Sequence, residues 1–351
     1  MHVRMRRPYI SIIIPAFNAH ERLCELVRSL CASRYKNIEV VIGDDASNEQ
    51  ITVAFLIQNI KKNIFPLRII RLTRNKGPAA ARNIAVKRAK GDVLVFLDSD
   101  VTVYPDTIEK IADKFKEDRD LTALTGVWDK HQNTKSFFPQ FKALRDWSYW
   151  TNERDRDGYY YLFSTRIAAI RREVFVRLGG FNEAFRQMED VELTYRIAKR
   201  YAIIFAADVR VHHEFEEFWV VAFKYFWRSF YWTKLYKERR KFDPVATTVW
   251  ESMAGVTGAS TMGFLALGFL SAGAFILSSL AVRLFHQLSI INYQLSMLFF
   301  IFHIILLWKF LRFVVREKGW LFMVKSLMTG ILLYCFVAAG AGYYYIKQAA
   351  S

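Results

Sequence analysis

Asp98 and Asp100 are two carboxylates separated by one residue, and they come directly after the apolar run 93–97. Such a pair at the end of a buried strand can hold Mg²⁺ or Mn²⁺ together with a diphosphate, because these cations prefer oxygen ligands and keep open positions. The cation would neutralise charge on a departing nucleoside diphosphate. The alternative is that the pair caps the next helix. A second acidic pair elsewhere in the chain favours the metal site.

Asp44 and Asp45 form this second acidic pair, after the apolar run 38–42. An ionised carboxylate here can accept hydrogen bonds from a nucleobase imide or from a ribose hydroxyl. Asp44 and Asp45 stand between Gly43 and Ser47, and these residue types are also typical of turns. Both interpretations can hold at once.

The segment 75–83 combines Asn75 and Gly77 with a proline, three alanines and Arg82. The proline suits the first position of a helix, and the small side chains let that helix approach a sheet and a donor closely. Arg82 can clamp a phosphate or an acidic group of the site, although a solvent-facing arginine is an equal alternative.

Glu189 and Asp190 open a predicted helix. The helix dipole and the backbone N–H groups hold a carboxylate at this position ionised, which is the state that a general base needs. Simple capping of the helix is the alternative. His212 and His213 come at the end of a later apolar run and could complete a metal site, but paired histidines are more often structural.

These residues need a scaffold that brings them together. Apolar runs at 10–14, 38–42, 67–72, 93–97 and 121–127 alternate with helical stretches at 21–31, 51–60, 78–90 and 105–116. This alternation predicts an α/β fold with a parallel sheet that is covered on both faces. Ligands bind such sheets beyond the carboxyl ends of the strands. The polar loops that follow the runs 10–14, 38–42 and 93–97 would converge there.

The later part of the soluble region is less regular. We predict a strand at 165–170 and short strands at 203–205 and 209–211. Residues 128–160 are aromatic and charged without a clear period, and we interpret them as an acceptor-side insertion that includes Trp147.

The C-terminal part has the composition of a membrane region. Residues 251–351 hold seven basic and two acidic side chains, with charge-free stretches at 253–282, 284–308 and 326–346. About 20 apolar residues span a bilayer, so we predict about three transmembrane helices. The positive-inside rule assigns the basic stretches 309–318 and 237–241 to the cytosol. We therefore predict an integral protein of the inner (cytoplasmic) membrane with a cytosolic catalytic domain.

Three regions result: a catalytic domain at 1–214, an interfacial helical segment at 215–250 and the membrane region at 251–351. The interfacial assignment rests on eleven aromatic residues mixed with basic ones between 215 and 236. The net charge of +17 suits membrane lipid or a phosphorylated substrate. No nucleic-acid-binding motif accompanies this charge, so we do not expect nucleic acid as a partner.

Six segments together resemble glycosyltransferase family 2, which has a GT-A type fold. They occur in the family order, at 11–18, 44–47, 75–83, 98–100, 179–183 and 189–193. Each segment is common alone, but the ordered set is specific. The resemblance covers roughly 9–212 and implies a Rossmann-like mixed sheet covered by helices. It also implies metal-dependent, inverting transfer of a single sugar from a nucleotide sugar (a UDP-, GDP- or dTDP-sugar).

The resemblance also implies roles for individual residues. Asp45 would read the nucleobase, Asp190 would be the general base, and Glu189 and Trp147 would lie on the acceptor side. Asp98, Asp100 and His212 would bind a divalent metal, Mn²⁺ or Mg²⁺. The donor site would contain Pro15, Ala16, Asn18, Asp44, Asp45, Asn75, Gly77, Arg82, Asp98 and Ser99.

Because the Glu189-Asp190 pair offers a base and the chain has a membrane region with an aromatic belt, we expect the acceptor to be a hydroxyl of a lipid-linked saccharide or glycan at the cytosolic membrane face. The Gln-x-x-Arg-Trp signature of processive synthases is missing, which argues against a polymerase. A polyprenyl-phosphate sugar synthase is the first alternative, but its ionised phosphate acceptor would not need the base at Asp190. A non-catalytic membrane scaffold is the second, and it would normally have lost the acidic motifs.

Overall fold

The computed structural model describes residues 7–60, 65–154, 161–239, 248–272 and 279–350. The chain forms two compact units. Unit 1 runs from the N-terminus to Phe215, except for residues 152–154, which group with unit 2. Unit 2 otherwise begins at Glu216. The predicted division of the C-terminal part into 215–250 and 251–351 stays a prediction.

Unit 1 is built from a sheet with helices between its strands. The strands are β1 (Ile10–Ala16), β2 (Ile38–Asp44), β3 (Leu67–Arg71), β4 (Val93–Leu97), β5 (Val101–Val103), β6 (Ala123–Trp128), β7 (Ile167–Arg171) and β8 (Ile203–His213). The helices are α1 (His20–Cys31), α2 (Val53–Ile60), α3 (Pro78–Val86), α4 (Thr107–Glu117), α5 (Phe137–Ser148), α6 (Arg172–Arg177) and α7 (Glu189–Ala198).

The sheet is mixed, as the family resemblance implies. Its eight strands have the order β3-β2-β1-β4-β7-β6-β8-β5. The first four strands in this order are parallel neighbours. By contrast, β7 pairs antiparallel with β4 and β6, and β5 pairs antiparallel with β8. The five apolar runs that predicted a parallel sheet form β1, β2, β3, β4 and β6, and these strands run in the same direction, because β7 is antiparallel to both β4 and β6. The strands of opposite direction are β7, for which no direction was predicted, and β5.

The register of the parallel strands brings the chemical loops to one edge. Ala16 at the end of β1 is level with Asp44 at the end of β2, and β4 runs parallel on the other side of β1. Helix α3 lies directly on β2, because a Cβ added to Gly43 would come within 2.0 Å of the carbonyl oxygen of Ala81. The small alanine side chains of α3 therefore allow this helix to pack closely on the sheet, as the sequence predicts.

Two parts of unit 1 differ from the sequence predictions. The predicted short strands at 203–205 and 209–211 are one strand, β8, in which exposed Ala207 and Asp208 interrupt the apolar pattern near a register shift against β6. Helix α5 occupies the segment in which no period was visible, and the three-residue strand β5 was not predicted.

Unit 2 contains α8 (Phe218–Arg239), α9 (Val249–Ala272), α10 (Ser279–Leu306), α11 (Trp308–Lys318) and α12 (Trp320–Ala349). Three helical segments in the described part are long and apolar enough to cross a membrane: Val249–Ala272, Phe285–Leu306 and Trp320–Ala349. They match the three predicted stretches. Residues 240–247, which include the end of the predicted basic run at 237–241, and residues 273–278 of the first predicted stretch lie outside the described residues.

The basic stretch at 309–318 is a helix rather than a loop. In α11, Phe310, Leu311 and Val314 are buried on one side, while the four basic residues of the stretch are exposed. This amphipathic pattern is typical of a helix that packs on one face only.

Helix α8 packs along α12 within unit 2. The hydroxyl of Ser229 donates to the carbonyl oxygen of Val337 over 2.7 Å, and a Cβ at Gly340 would lie 2.1 Å from the carbonyl oxygen of Phe226. Other aromatic rings of α8 are exposed at intervals of four residues: Trp219, Phe223, Trp227 and Tyr231. The location of this stripe among lipid headgroups stays a prediction.

Candidate active site

The two carboxylates that follow β4 lie at the same edge of the sheet but have different partners. Asp98 Oδ1 accepts from Arg82 Nη2 over 2.6 Å. Asp100 Oδ2 lies 3.3 Å from His213 Nε2 and 3.7 Å from Arg22 Nη1. Both side chains are about a third exposed, and a cavity of about 570 Å³ opens beside Asp100.

Arg82 joins two elements of the site. It is only 3% exposed, and its Nη1 donates to Glu189 Oε1 over 2.6 Å while its Nη2 holds Asp98. The arginine of α3 therefore connects the loop after β4 to the first turn of α7. Glu189, which was predicted on the acceptor side, is buried in this ion pair. A direct contact of Arg82 with the donor stays a prediction.

Replacing Arg82 with methionine is expected to lower the free energy of unfolding by about 3–5 kcal/mol, because it leaves the buried carboxylate of Glu189 without its cation. Chemical denaturation of the detergent-purified chain measures this loss. Arg22→Met is the matched control, since Arg22 is 59% exposed at 3.7 Å from Asp100 and should cost less than about 1 kcal/mol. Equal stability of the two variants would contradict the structural role of Arg82.

Asp190 lies in the first turn of α7 and is half-buried. Its pKa is raised to about 6, mainly by burial and also by the charge of Glu189. Arg82, the N–H of Val191 and Arg166 oppose this rise but do not cancel it. The sequence predicts only that the helix start keeps this carboxylate ionised, whereas burial gives it a pKa close to working pH, as a general base needs.

The pair after β2 is held by the protein itself. Asp44 is fully buried and accepts hydrogen bonds from the N–H and hydroxyl of Ser47 and from Arg71 Nη1. Asp44 therefore builds the turn, and its contact with the donor stays a prediction.

Asp45 connects the turn to the glycine-containing segment. Its two carboxylate oxygens accept from the backbone N–H groups of Lys76 (2.7 Å) and Gly77 (2.8 Å). Gly77 has φ +94°, a conformation that favours glycine. Each carboxylate oxygen has a second lone pair, so a contact between Asp45 and a nucleobase stays a prediction.

The histidine that lies next to Asp100 is His213 and not His212. Successive residues of a strand point to opposite faces, and the sequence does not reveal which of the two faces the site. The ring of His212 lies 2.8 Å from Glu214 Oε1 and 3.2 Å from Asn133 Nδ2. In the described part of the chain, no three His, Cys, Asp or Glu side chains are already grouped to hold a metal, although His212 lines the same cavity as Asp100. Metal binding by Asp98, Asp100 and His212 stays a prediction.

The acidic pair nevertheless fits a divalent cation. Asp98 and Asp100 supply oxygen ligands, are one residue apart, and are exposed enough for a cation to reach them. Mg²⁺ and Mn²⁺ are commonly bound by one or two carboxylates, with the other positions filled by phosphate oxygens or water. The chemistry of this pair therefore suits a metal–diphosphate, with His213 as the nearest histidine.

The other predicted residues lie on several different elements. Asn18 joins the loops after β1 and β2, because its N–H donates to Ser47 Oγ (2.9 Å) and its Oδ1 accepts from the N–H of Asn48 (2.8 Å). Pro15 and Ala16 end β1, Ser99 lies between the two aspartates, the carbonyl of Asn75 accepts from Arg186, and Trp147 lies on α5. Their roles stay predictions.

Sequence reasoning missed two residues near this edge. The guanidinium carbon of Arg166 lies 3.4 Å from the ring centroid of Trp128, and the Trp128 ring packs against His213. The only sequence signal was a tryptophan at the end of a predicted strand, which is too common to indicate a site.

The chain is similar to known proteins in sequence and in fold. Residues 11–179 match the sequence model of the family described as Glycosyl transferase family 2. An uncharacterized glycosyltransferase of Haemophilus influenzae is 26% identical over 193 residues, which are 54% of this chain and 61% of the relative. The UDP-Glc:alpha-D-GlcNAc-diphosphoundecaprenol beta-1,3-glucosyltransferase WfaP of Escherichia coli is 43% identical over 93 residues, 26% of this chain and 35% of WfaP.

Among solved structures, the mannosyltransferase PcManGT from Pyrobaculum calidifontis, in complex with GDP-Man and Mn²⁺, superposes with a TM-score of 0.57 at 17% identity. The superposition covers 98% of this chain and 89% of PcManGT. This likeness shows a shared fold.

Proposed function

Because the chain belongs to glycosyltransferase family 2, with the family domain at residues 11–179, we propose that it is a metal-dependent, inverting glycosyltransferase. It would transfer one sugar from a UDP-, GDP- or dTDP-sugar to a hydroxyl of a lipid-linked or glycan acceptor. The observation that carries the proposal is the position of Arg82, which binds Asp98 on the donor side and Glu189 next to Asp190. One side chain thus connects a diphosphate-binding pair to a candidate base.

In the proposed reaction, Asp190 accepts the proton of the acceptor hydroxyl. The oxygen then attacks the anomeric carbon as the bond to the nucleoside diphosphate breaks on the opposite face, which inverts the configuration. A divalent cation held by Asp98 and Asp100 would supply Lewis-acid stabilisation of the leaving diphosphate. Asp190, with a pKa of about 6, is mostly ionised at pH 7 and still basic enough to assist the transfer.

Two observations support a lipid-linked acceptor at the membrane. Three helices of unit 2 are long and apolar enough to cross a bilayer. The relative WfaP is named for transfer to a sugar linked to diphosphoundecaprenol. We place the catalytic domain in the cytosol, because the exposed basic residues of α11 follow the positive-inside rule.

The alternatives remain a polyprenyl-phosphate sugar synthase and a non-catalytic scaffold. The pKa of Asp190 favours a hydroxyl acceptor, since an already ionised phosphate needs no base to become a nucleophile. The ion pairs of Arg82 with Asp98 and Glu189, which join the two acidic motifs, favour a working site over a scaffold.

A panel of UDP-, GDP- and dTDP-sugars tests the proposal on the detergent-purified chain, with Mg²⁺, Mn²⁺ or EDTA and a membrane lipid extract as acceptor. Metal-dependent release of one nucleoside diphosphate is expected, and its base identifies the donor. Absence of release across the panel from folded protein would favour the scaffold.

A further inference from the structure

The cavity of about 570 Å³ beside Asp100 lies on the α1 side of the acidic pair. Its walls come from α1, from β5, from the segment after β6 and from the end of β8. Among the residues that line it in the described ranges, none belongs to α3 or α7, so Arg82 and Asp190 lie outside it. Its volume is in the usual range for small-ligand sites, about 300–1,000 Å³. We call it the α1 cavity.

The charges that line the α1 cavity are nearly balanced. Arg22 and Arg28 are its two arginines, and Glu25, Glu214 and Asp100 are its carboxylates. A divalent cation on Asp100 would leave two arginines facing two glutamates. A site for a diphosphate or another polyanion needs an excess of positive charge instead. The cavity therefore suits a ligand without net charge.

One wall of the α1 cavity is a group of hydrogen-bonding side chains. His212 Nε2 lies 3.2 Å from Asn133 Nδ2 and 2.8 Å from Glu214 Oε1. The backbone N–H of Asn133 also donates to Glu214 Oε1 over 2.8 Å, so these side chains hold one another in place. Together with the arginines and the hydroxyl of Thr102, they offer both donors and acceptors. Each hydroxyl group of a saccharide can donate and accept, so such a wall matches a saccharide.

The α1 cavity offers little apolar surface. Ala32 is the single apolar residue among those that line it in the described part of the chain, and His212 supplies the single ring. A peptide, an acyl chain or a nucleobase would need apolar or aromatic side chains to bury its surface. The methylene stems of Arg22 and Arg28 can cover the C–H groups of a sugar ring. A neutral saccharide is therefore the ligand that fits the cavity.

We propose that the α1 cavity is a subsite for a neutral saccharide and that it holds a further sugar unit of the acceptor. The saccharide assignment follows from the lining of the cavity, whereas the acceptor assignment rests on the proposed function. The sugar that is transferred must lie between the diphosphate and the base at Asp190, and no residue of α7 lines the cavity. An occupant would instead approach Asp100 from α1, where Arg22 lies 3.7 Å from this carboxylate.

Binding of disaccharides tests the subsite without any activity. The probes are cellobiose, diacetylchitobiose and mannobiose, and saturation-transfer NMR detects their binding to the chain, purified in a detergent without a sugar headgroup. We expect binding of at least one probe by the wild type and its loss in Ala32→Trp, because Ala32 is an exposed residue of the wall and an indole there fills the cavity. Ala207→Trp is the matched control, since Ala207 is also exposed but does not line the cavity.

A second variant removes one contact and leaves the cavity open. Arg28→Met should weaken disaccharide binding by about tenfold, since a hydrogen bond to a charged group contributes at least this factor. Arg177→Met, at a surface arginine of α6, is its control. The inference is overturned if the wild type binds none of the three probes at about 10 mM, or if Ala32→Trp binds them as the wild type does.

Transfer kinetics test the acceptor assignment. With a membrane lipid extract as acceptor, Ala32→Trp should raise the KM for the acceptor and leave the KM for the nucleotide sugar near that of the wild type. A raised KM for the nucleotide sugar alone would place the donor in the cavity and contradict the assignment. If disaccharides bind but the wild type transfers no sugar, the subsite stands and the proposed function fails. If the wild type transfers sugar but binds no disaccharide, the proposed function stands and the subsite is wrong.

Discussion

Asp190→Asn is expected to lower turnover by about 10²- to 10⁴-fold and to leave donor affinity unchanged, since this is the usual contribution of general-base catalysis. Asparagine has nearly the same shape as aspartate but cannot accept the proton of a hydroxyl. The dependence on pH near 6 should disappear with the carboxylate, because the group whose pKa is about 6 is gone.

Turnover with saturating donor and a lipid extract measures the first effect, and calorimetric titration with the nucleoside diphosphate measures donor affinity. Glu192→Gln is the matched control, because Glu192 lies on the same helix but pairs with Arg196. Near-normal turnover of Asp190→Asn would favour a phosphate acceptor and hence the polyprenyl-phosphate alternative.

Asp100→Asn is expected to reduce turnover by about 10³-fold, because loss of metal assistance removes several kcal/mol of transition-state stabilisation. Burial raises the pKa of Asp100, but the hydrogen bond and charge of His213, together with Arg22, outweigh burial and lower it. The carboxylate is therefore ionised at neutral pH and available to a cation.

Donor binding should separate the metal role from a structural one. With Mn²⁺ present, the Asp100→Asn variant should bind nucleoside diphosphate as weakly as the wild type does in EDTA. Asp106→Asn is the control, because Asp106 is a surface residue that pairs with Lys110. If Asp100→Asn kept the metal-dependent affinity of the wild type, Asp100 would not be a metal ligand.

The central strands and their loops were predictable from the sequence for a physical reason. β1, β2 and β4 are buried along their lengths, so each reads as a continuous apolar run, and the polar residues that follow stand out. The strand order and the antiparallel pairs were not predictable, because pairing depends on contacts between distant segments such as β4 and β7.

The details of the site depended on geometry that the sequence does not carry. His213 lies next to Asp100, because it points to the face of β8 that carries the site. The interrupted apolar pattern of β8 does not reveal from the sequence which residues point to that face. The burial of Asp44 and the two partners of Arg82 depend on where α3 and α7 pack. The residue types indicated which chemistry is possible. The packing of distant segments determines which of these side chains contact each other.

The most direct test of the central claim is transfer of radiolabelled sugar from the donor identified in the nucleotide-sugar panel into a membrane lipid extract. The extracted lipid is then cleaved with mild acid and the released sugar is sized. The account predicts metal-dependent labelling that requires Asp190, with the label recovered in a disaccharide or larger saccharide. Recovery of labelled monosaccharide alone would show a phosphate acceptor and contradict the hydroxyl-acceptor mechanism.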